Sequence, residues 1–447
     1  MYLVAVNLYA MNFEELNIYW VMIGLSMIVI LSYSFNYISQ LTRVPSVLLL
    51  IATGVIVSLF LEEEIPNLKT FLEILGAVGL IMIVLEASLD LELKKEKAGL
   101  IFKAVYSSLI LLVSNAVIIA FLIIVFFDTT FVISLLYAVP LSIMSSAIII
   151  PSVQHLDEHK KEFLIYESAF SDIFGIMFFY FILDFVSLEG DSQFAVHVVS
   201  NIFVTVVVSF ILGYLIILLI QKVTAEVKLF LPIATLILLY AVGKLFHLSS
   251  LIFILTFGLM INNRDIFFRG KLASLFNAGS FRETLEDLKM LTLESSFIVR
   301  TFFFIVFGMS ITAEGFNDPV VYVVGIGSLL VMFGSRFGLL SMVSKQEKFP
   351  AIYIAPRGLI TILLFFGIPE ELMLEGFRPA ILLLVILGSN FLMTYGLMKF
   401  KPDTGGNGDE FIPSGEPERG EKEIVSPESA PSTSGEGGDN PGSVPFS

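Results

Sequence analysis

Tyr166-Glu167-Ser168-Ala169-Phe170-Ser171-Asp172-Ile173-Phe174-Gly175 is the stretch on which the fold of this chain turns. It sits inside an apolar run from Phe163 to Val186 that is long enough to cross a bilayer. On a helix the two carboxylates and two hydroxyls fall on a stripe about 140° wide, so they share one face. Asp172 lies eleven positions beyond Lys161, roughly 16 Å of helix, which puts it near a bilayer midplane. A carboxylate at that depth is costly unless a proton, a cation or a cationic side chain neutralises it. The stretch therefore predicts either an ion-binding helix or a buried ion pair.

Outward from it, similar apolar runs recur along the 447 residues, of which 56% are hydrophobic and 15% charged. Mean hydropathy is +0.89. That composition excludes a soluble enzyme. About 13 spans are read. The first six are Ile18 to Tyr37, Val44 to Leu61, Phe71 to Leu91, Leu100 to Phe127, Phe131 to Val153 and Phe163 to Val186. The others are Val196 to Ile220, Leu229 to Phe246, Leu251 to Asn262, Leu293 to Thr312, Val320 to Val343, Ala351 to Ile368 and Ala380 to Met398. The fold class is an all-α polytopic membrane protein.

Lysine and arginine fall in every second connection. One side holds Arg43, Lys94, Lys95, Lys97, Lys160, Lys161, Lys222 and Lys228, and later Arg264 through Lys289, Lys345, Lys348, Lys399 and Lys401. The other side has only Lys69 and Arg378, roughly 17 against 2. Cytoplasmic loops carry such an excess, so the N-terminus is predicted outside and the C-terminus inside. No cleavable signal peptide is read at the start, where Glu14 and Glu15 precede the first span. Residues 1–400 are assigned to the membrane domain and 401–447 to an acidic, disordered cytoplasmic tail, since the latter holds almost no aromatic residue. The connection from Asn263 to Lys289, with Leu272, Leu275, Phe276, Phe281, Leu285 and Leu288 among charges, reads as an interfacial amphipathic helix.

The chain also matches itself. Pro45 to Gly54 aligns with Ser249 to Gly258, and Ile83-Val84-Leu85-Glu86-Ala87-Ser88-Leu89 with Ile305-Val306-Phe307-Gly308-Met309-Ser310-Ile311. The second and ninth spans are an odd number of crossings apart, so the repeats enter the membrane from opposite sides, as in secondary transporters. The repeat pairs the fifth span, with Pro140, Ser145, Ser146 and Pro151, with the twelfth, with Pro356-Arg357-Gly358 and Pro369. Interruptions at that depth predict two broken helices that line a site or pack inside protein.

Buried arginines are available to the acids: Arg300 in the tenth span, Arg336 in the eleventh and Arg357 at the twelfth-span break. Glu86 adds a third-span carboxylate about 12 Å of helix inward from Lys94. Glu167 reads as one half of a fixed ion pair and Asp172 as an ion binder with Arg300 nearby, while Glu86 suits either role. Other chemistry is poorly served. With no cysteine and four histidines, there is no thiolate site and little for zinc. Lys+Arg of 26 against Asp+Glu of 41 leaves no basic face for nucleic acid. No cofactor motif is present.

At this point the sequence resembles the bacterial sodium/proton antiporters of the NhaP type, in the monovalent cation:proton antiporter superfamily. The resemblance spans roughly Arg43 to Met398 and rests on Arg43-Val44-Pro45-Ser46-Val47, Val84 to Leu91, Glu167-Ser168-Ala169-Phe170-Ser171-Asp172, the Phe302-Phe303-Phe304 to Gly308 run and Pro356-Arg357-Gly358. It implies 13 helices, a dimerisation domain interleaved with a core of crossed broken helices, and a homodimer working by an elevator-like movement. It also implies that Asp172 carries ion and proton, that Ser168 and Ser145 are cation ligands with Glu86 close by, and that Glu167 bonds Arg336. Two motifs depart from the family: its Asn-Asp pair reads Ser171-Asp172, where Ser171 keeps an oxygen ligand, and its Thr-Asp-Pro reads Ser145-Ser146-Ala147. A single acid in the pair implies electroneutral Na⁺/H⁺ exchange across a bacterial inner membrane. K⁺ and Li⁺ are alternative cations. A K⁺/H⁺ antiporter, a channel-like K⁺ efflux pathway and a transport-inactive scaffold or sensor are the alternative functions.

Overall fold

The computed structural model of the chain describes residues 18–42, 44–60, 68–187, 204–205, 207–215, 230–245, 250–267, 278–310, 313–343 and 348–399. The predicted tail, His247 and parts of the seventh span and of the connection after Asn263 lie outside the described residues. Every regular element described is helical. In the first half these are α1 (Ile18–Thr42), α2 (Ser46–Phe60), α3 (Leu68–Asp90), α4 (Ala98–Phe127), α5 (Phe131–Ser142), α6 (Ser146–Ser152) and α7 (Glu158–Ser187). A further helical segment covers 207–215. The second half holds α8 (Phe230–Leu245), α9 (Ser250–Asn262), α10 (Ala278–Met309), α11 (Pro319–Val343), α12 (Leu359–Phe366) and α13 (Pro379–Lys399). Among the described residues seven helices are long and apolar enough to cross a membrane, and α2 and α9 are shorter apolar helices.

The connection after Asn263 departs from its sequence reading. From Ala278 onward it is already part of α10, one 32-residue helix, and Leu288 is packed into the protein core. The apolar positions near its end belong to the inner face of a long helix and not to a separate one lying in the interface.

Two sets of helices pack among themselves. In one, α10 lies on α2 and α3, and α9 lies on α3 and α8. In the other, α4 packs on α5, α7 and α11, and α11 on α13. The first set shows the internal repeat directly. A Cβ on Gly54 would stand 2.9 Å from the Cα of Gly308, and one on Gly258 would collide with the Ser88 side chain. Thus α2 crosses α10 where α9 crosses α3, which is the exchange of partners that a pseudo-two-fold axis produces. In one crossing Ser88 takes the position that Gly308 takes in the other, two residues from the Ser88/Ser310 match read in the sequence.

The two sets are joined by the linker between α3 and α4, and that linker is held from both sides. Asn263, just after α9, accepts from the Leu93 amide at 2.6 Å and donates to the Leu91 carbonyl at 2.7 Å. From the other set, the Tyr166 hydroxyl of α7 donates to the Glu92 carbonyl at 2.8 Å, and Lys97 pairs with Glu162.

The fifth and twelfth spans are broken, as their prolines predict. Residues 143–145 separate α5 from α6, and residues 354–358 have no regular secondary structure before α12. Pro140 removes one helical donor within α5. Breaks inside an apolar interior leave backbone groups that need partners. Here the Ser145 amide donates to the Pro356 carbonyl at 3.0 Å. The Arg357 amide donates to Ser389 Oγ at 3.0 Å, and Asn390 Nδ2 of α13 donates to the Arg357 carbonyl at 2.9 Å. The neighbouring helix thus replaces bonds that the broken one gives up.

Candidate functional site

Where the two breaks cross, α7 presents its polar face. Gly175 makes this close approach feasible, because any Cβ there would overlap the Ile143 side chain. Asp172 is 2% exposed. Its Oδ2 accepts the Ser146 amide at 3.1 Å and also the Ser146 hydroxyl. Its Oδ1 is buried without a hydrogen-bond partner. Among the described residues no lysine or arginine forms an ion pair with Asp172. One carboxylate oxygen is therefore tied and the other is open to a proton or a small cation.

The remaining polar positions have distinct geometries. Ser171 Oγ accepts the Met144 amide at 3.0 Å, satisfying a second donor freed by the fifth-span break. Ser168 stands one turn before Asp172 on the same face, with its hydroxyl donating to the Ile165 carbonyl at 3.1 Å. Ser145 is buried and its hydroxyl lies against Gly358. Ser171 thus ties the fifth-span break to α7, the Ser145 amide ties that break to the twelfth-span segment, and Ser146 supplies the side-chain contact to Asp172.

Arg357 serves the broken helices. Its guanidinium donates to the Leu141 carbonyl at 2.8 Å, the Ser142 carbonyl at 3.1 Å and the Ala355 carbonyl at 2.9 Å. The first two are the terminal acceptors of α5, which carry the partial negative charge of a helix C-terminus. A fixed cation in an apolar interior is thereby matched by carbonyl dipoles in place of a carboxylate.

Glu167 and Arg336 form a fully buried ion pair, with Arg336 Nη2 donating to Glu167 Oε2 at 2.7 Å. The Ser107 hydroxyl donates to Glu167 Oε1, and Arg336 Nε donates to the Ala351 carbonyl at 2.7 Å. Arg336 Nη1 has no partner. Beside the pair is a cavity with room for about one water molecule, lined by Asn115, Ser171, Arg336 and Arg357 among others.

Glu86 stands in the other set of helices, between α3 and α10. Arg300 Nη1 of α10 donates to its Oε1 at 3.3 Å, and the Ser296 hydroxyl, one turn earlier on α10, donates to its Oε2. Arg300, expected near Asp172, is instead the partner of Glu86, because α10 packs on α3.

Sequence reasoning missed Ser146, Ser107, Ser296 and the Ser389–Asn390 pair. Ser296 had a signal, lying four residues before Arg300 and so on its face. Ser107 had none, because Ser108 beside it offers the same hydroxyl on the same apolar helix.

The description sodium/hydrogen exchanger, transmembrane, fits residues 25–398 as a family match. Among solved structures, the sodium proton antiporter MjNhaP1 from Methanocaldococcus jannaschii at pH 8 superposes with a TM-score of 0.64 at 19% identity, covering 85% of this chain and 96% of that one. An electron-microscopy structure of the same antiporter gives a TM-score of 0.61 at 18% identity, covering 86% and 96%. No curated protein sequence matches the chain.

Proposed function

The chain belongs to the sodium/hydrogen exchanger family, whose members are cation/proton antiporters and not enzymes, and on that premise we propose that it exchanges Na⁺ for H⁺ one for one by alternating access, with Asp172 as the shared carrier. The observation that carries this reading is the state of Asp172: a buried carboxylate, unpaired with any arginine among the described residues, with one oxygen open. Such a group is stable in an apolar interior only when loaded. Proton and cation are then alternative loads, and coupling follows from their competition without covalent chemistry. Hydroxyl and carbonyl oxygens from Ser168, Ser171 and the fifth-span break suit a hard monovalent cation.

In this reading the set built on α4, α5, α7, α11 and α13 carries Asp172 past the set built on α2, α3, α9 and α10, which serves as the scaffold of a homodimer. Separate packing of the two sets supports that division. The lysine and arginine asymmetry supports an outside N-terminus and a cytoplasmic C-terminus.

Everted vesicles loaded with a pH-sensitive dye provide the test, with Na⁺, Li⁺ and K⁺ added in turn. Na⁺ is expected to dequench the dye, and Asp172→Asn to abolish the response while the protein still inserts and purifies as a folded species. Cation-driven proton flux retained by Asp172→Asn would overturn the carrier assignment.

A further inference from the structure

We infer that Tyr166 is a latch: by holding the Glu92 carbonyl it ties the moving set of helices to the scaffold and favours the one relative position of the two sets found in this structure. The inference rests on the proposed movement of the sets and adds what restrains it. Scaffold and moving set are joined through residues 91–94, which have no regular secondary structure. Whatever grips these residues governs how the sets shift.

The grip on Leu91 and Leu93 comes from the scaffold. Asn263, just after α9, accepts the Leu93 amide at 2.6 Å and donates to the Leu91 carbonyl at 2.7 Å, and Asn262 donates to the same carbonyl at 3.0 Å. Beyond the linker the chain belongs to the moving set, where Lys97 pairs with Glu162 of α7. Glu92 lies inside the stretch that the scaffold holds, yet its carbonyl is taken by the Tyr166 hydroxyl of α7 at 2.8 Å. That hydrogen bond therefore crosses the boundary along which the sets must slide.

The apolar contacts at this place do not restrain sliding in the same way. Leu91 packs in one cluster with Phe163 and Tyr166, and such packing is non-directional, so it can be exchanged for similar contacts further along. A hydrogen bond is short and directional. A displacement of a few ångströms takes a contact of 2.8 Å out of range. Tyr166 and Asp172 stand six positions apart on one unbroken helix, Glu158–Ser187, a rise of roughly 9 Å. Fixing the hydroxyl thus fixes the height of the carboxylate, and releasing it frees both together. The hydroxyl acts on the position of the carrier and not on its ligands.

The experiment uses the absence of cysteine from the chain. Phe102→Cys on α4 and Met290→Cys on α10, both at exposed positions, carry spin labels on the moving set and on the scaffold of the full-length protein in lipid nanodiscs. Pulsed electron paramagnetic resonance, in Na⁺ and at acid pH, then reads each relative position of the sets as a distance. Tyr166→Phe keeps the ring and removes the hydroxyl. It should lower the population at the distance of this structure, relative to the other, roughly fivefold, the weight of one hydrogen bond present in only one of two states. Asn263→Ala should shift the ratio in the same direction, and Tyr166→Phe added to it should bring at most half of its separate effect, because a linker no longer pinned to the scaffold cannot pass the restraint on. A tyrosine with a merely structural role would weaken both positions alike and leave the ratio unmoved. An unmoved ratio in Tyr166→Phe, or full additivity with Asn263→Ala, overturns the latch. Asn263→Ser, whose hydroxyl is shorter than the amide, replaces the alanine variant if that one yields no folded protein, and the same non-additivity is required of it. A single distance in every variant and condition overturns the movement of the sets and the latch with it, whereas two distances whose ratio ignores Tyr166→Phe remove the latch alone.

Discussion

The Ser145 amide donates to the Pro356 carbonyl at 3.0 Å, so the two interrupted spans are joined backbone to backbone where each abandons helical geometry. Two breaks that would each strand polar groups in an apolar interior partly satisfy one another. Arg357 and the α13 pair Ser389 and Asn390 supply further partners. The crossing is therefore a single structural unit, and Asp172 is bonded to it through Ser146.

Gly358 tests how tightly that unit is closed. A Cβ at this position would stand 2.7 Å from Ser145 Oγ and 2.8 Å from Ile148 Cδ1, and both neighbours are themselves buried. Gly358→Ala should lower stability by about 1–3 kcal/mol, the usual cost of overpacking a closed interior, and should slow exchange by shifting Ser145 and Ser146 together. Thermal melting of the detergent-purified protein and vesicle transport measure the two effects. A wild-type melting temperature would show that the crossing has slack.

Glu167 and Arg336 make the opposite demand, since here the contact is attractive and its removal exposes what it was concealing. Arg336 is 1% exposed and Glu167 fully buried. Glu167→Gln leaves a buried guanidinium without its counter-charge, a loss of about 3–5 kcal/mol on the scale of soluble proteins. The melting temperature should fall markedly, and combining the change with Arg336→Met should recover part of the loss by removing the orphaned charge as well. Transport lost completely at an unchanged melting temperature would move Glu167 out of the framework and into the ion site.

Much of this arrangement is legible in the amino-acid sequence, and the limits have physical reasons. Hydropathy locates helices because a bilayer demands about 20 apolar residues in succession, and Pro140 and Pro356-Arg357-Gly358 mark the breaks because proline cannot donate and glycine takes little space. Asp172 stands out through the cost of its burial. What fails is the assignment of partners across helices. Three arginines were available to three acids, and composition cannot say that Arg357 would turn to carbonyls while Arg300 turned to Glu86. Ser145 stands on non-helical backbone, with φ −81° and ψ 111°, and Ser146 after it opens α6. Helical periodicity gives no guide there, and the hydroxyl that reaches Asp172 belongs to Ser146, whereas the family pattern points to Ser145.

Stoichiometry follows from comparing Glu86 with Asp172. Both oxygens of Glu86 are engaged, Oε1 by Arg300 at 3.3 Å and Oε2 by the Ser296 hydroxyl. Glu86 already has its counter-charge in Arg300, and displacing that partner would leave a charge unmatched inside the protein. Asp172 has one oxygen open and pays no such penalty on loading. On the proposed reading one carboxylate exchanges one proton for one cation, and no net charge crosses the membrane. Purified protein in liposomes, given a Na⁺ gradient and a potential set by valinomycin and K⁺, should therefore transport at a rate independent of voltage. Glu86→Gln should reduce stability through the orphaned Arg300 while leaving that voltage independence intact. Transport that accelerates with potential in the unaltered protein and loses this dependence in Glu86→Gln would make Glu86 a second proton carrier and replace one-for-one exchange with two protons per cation.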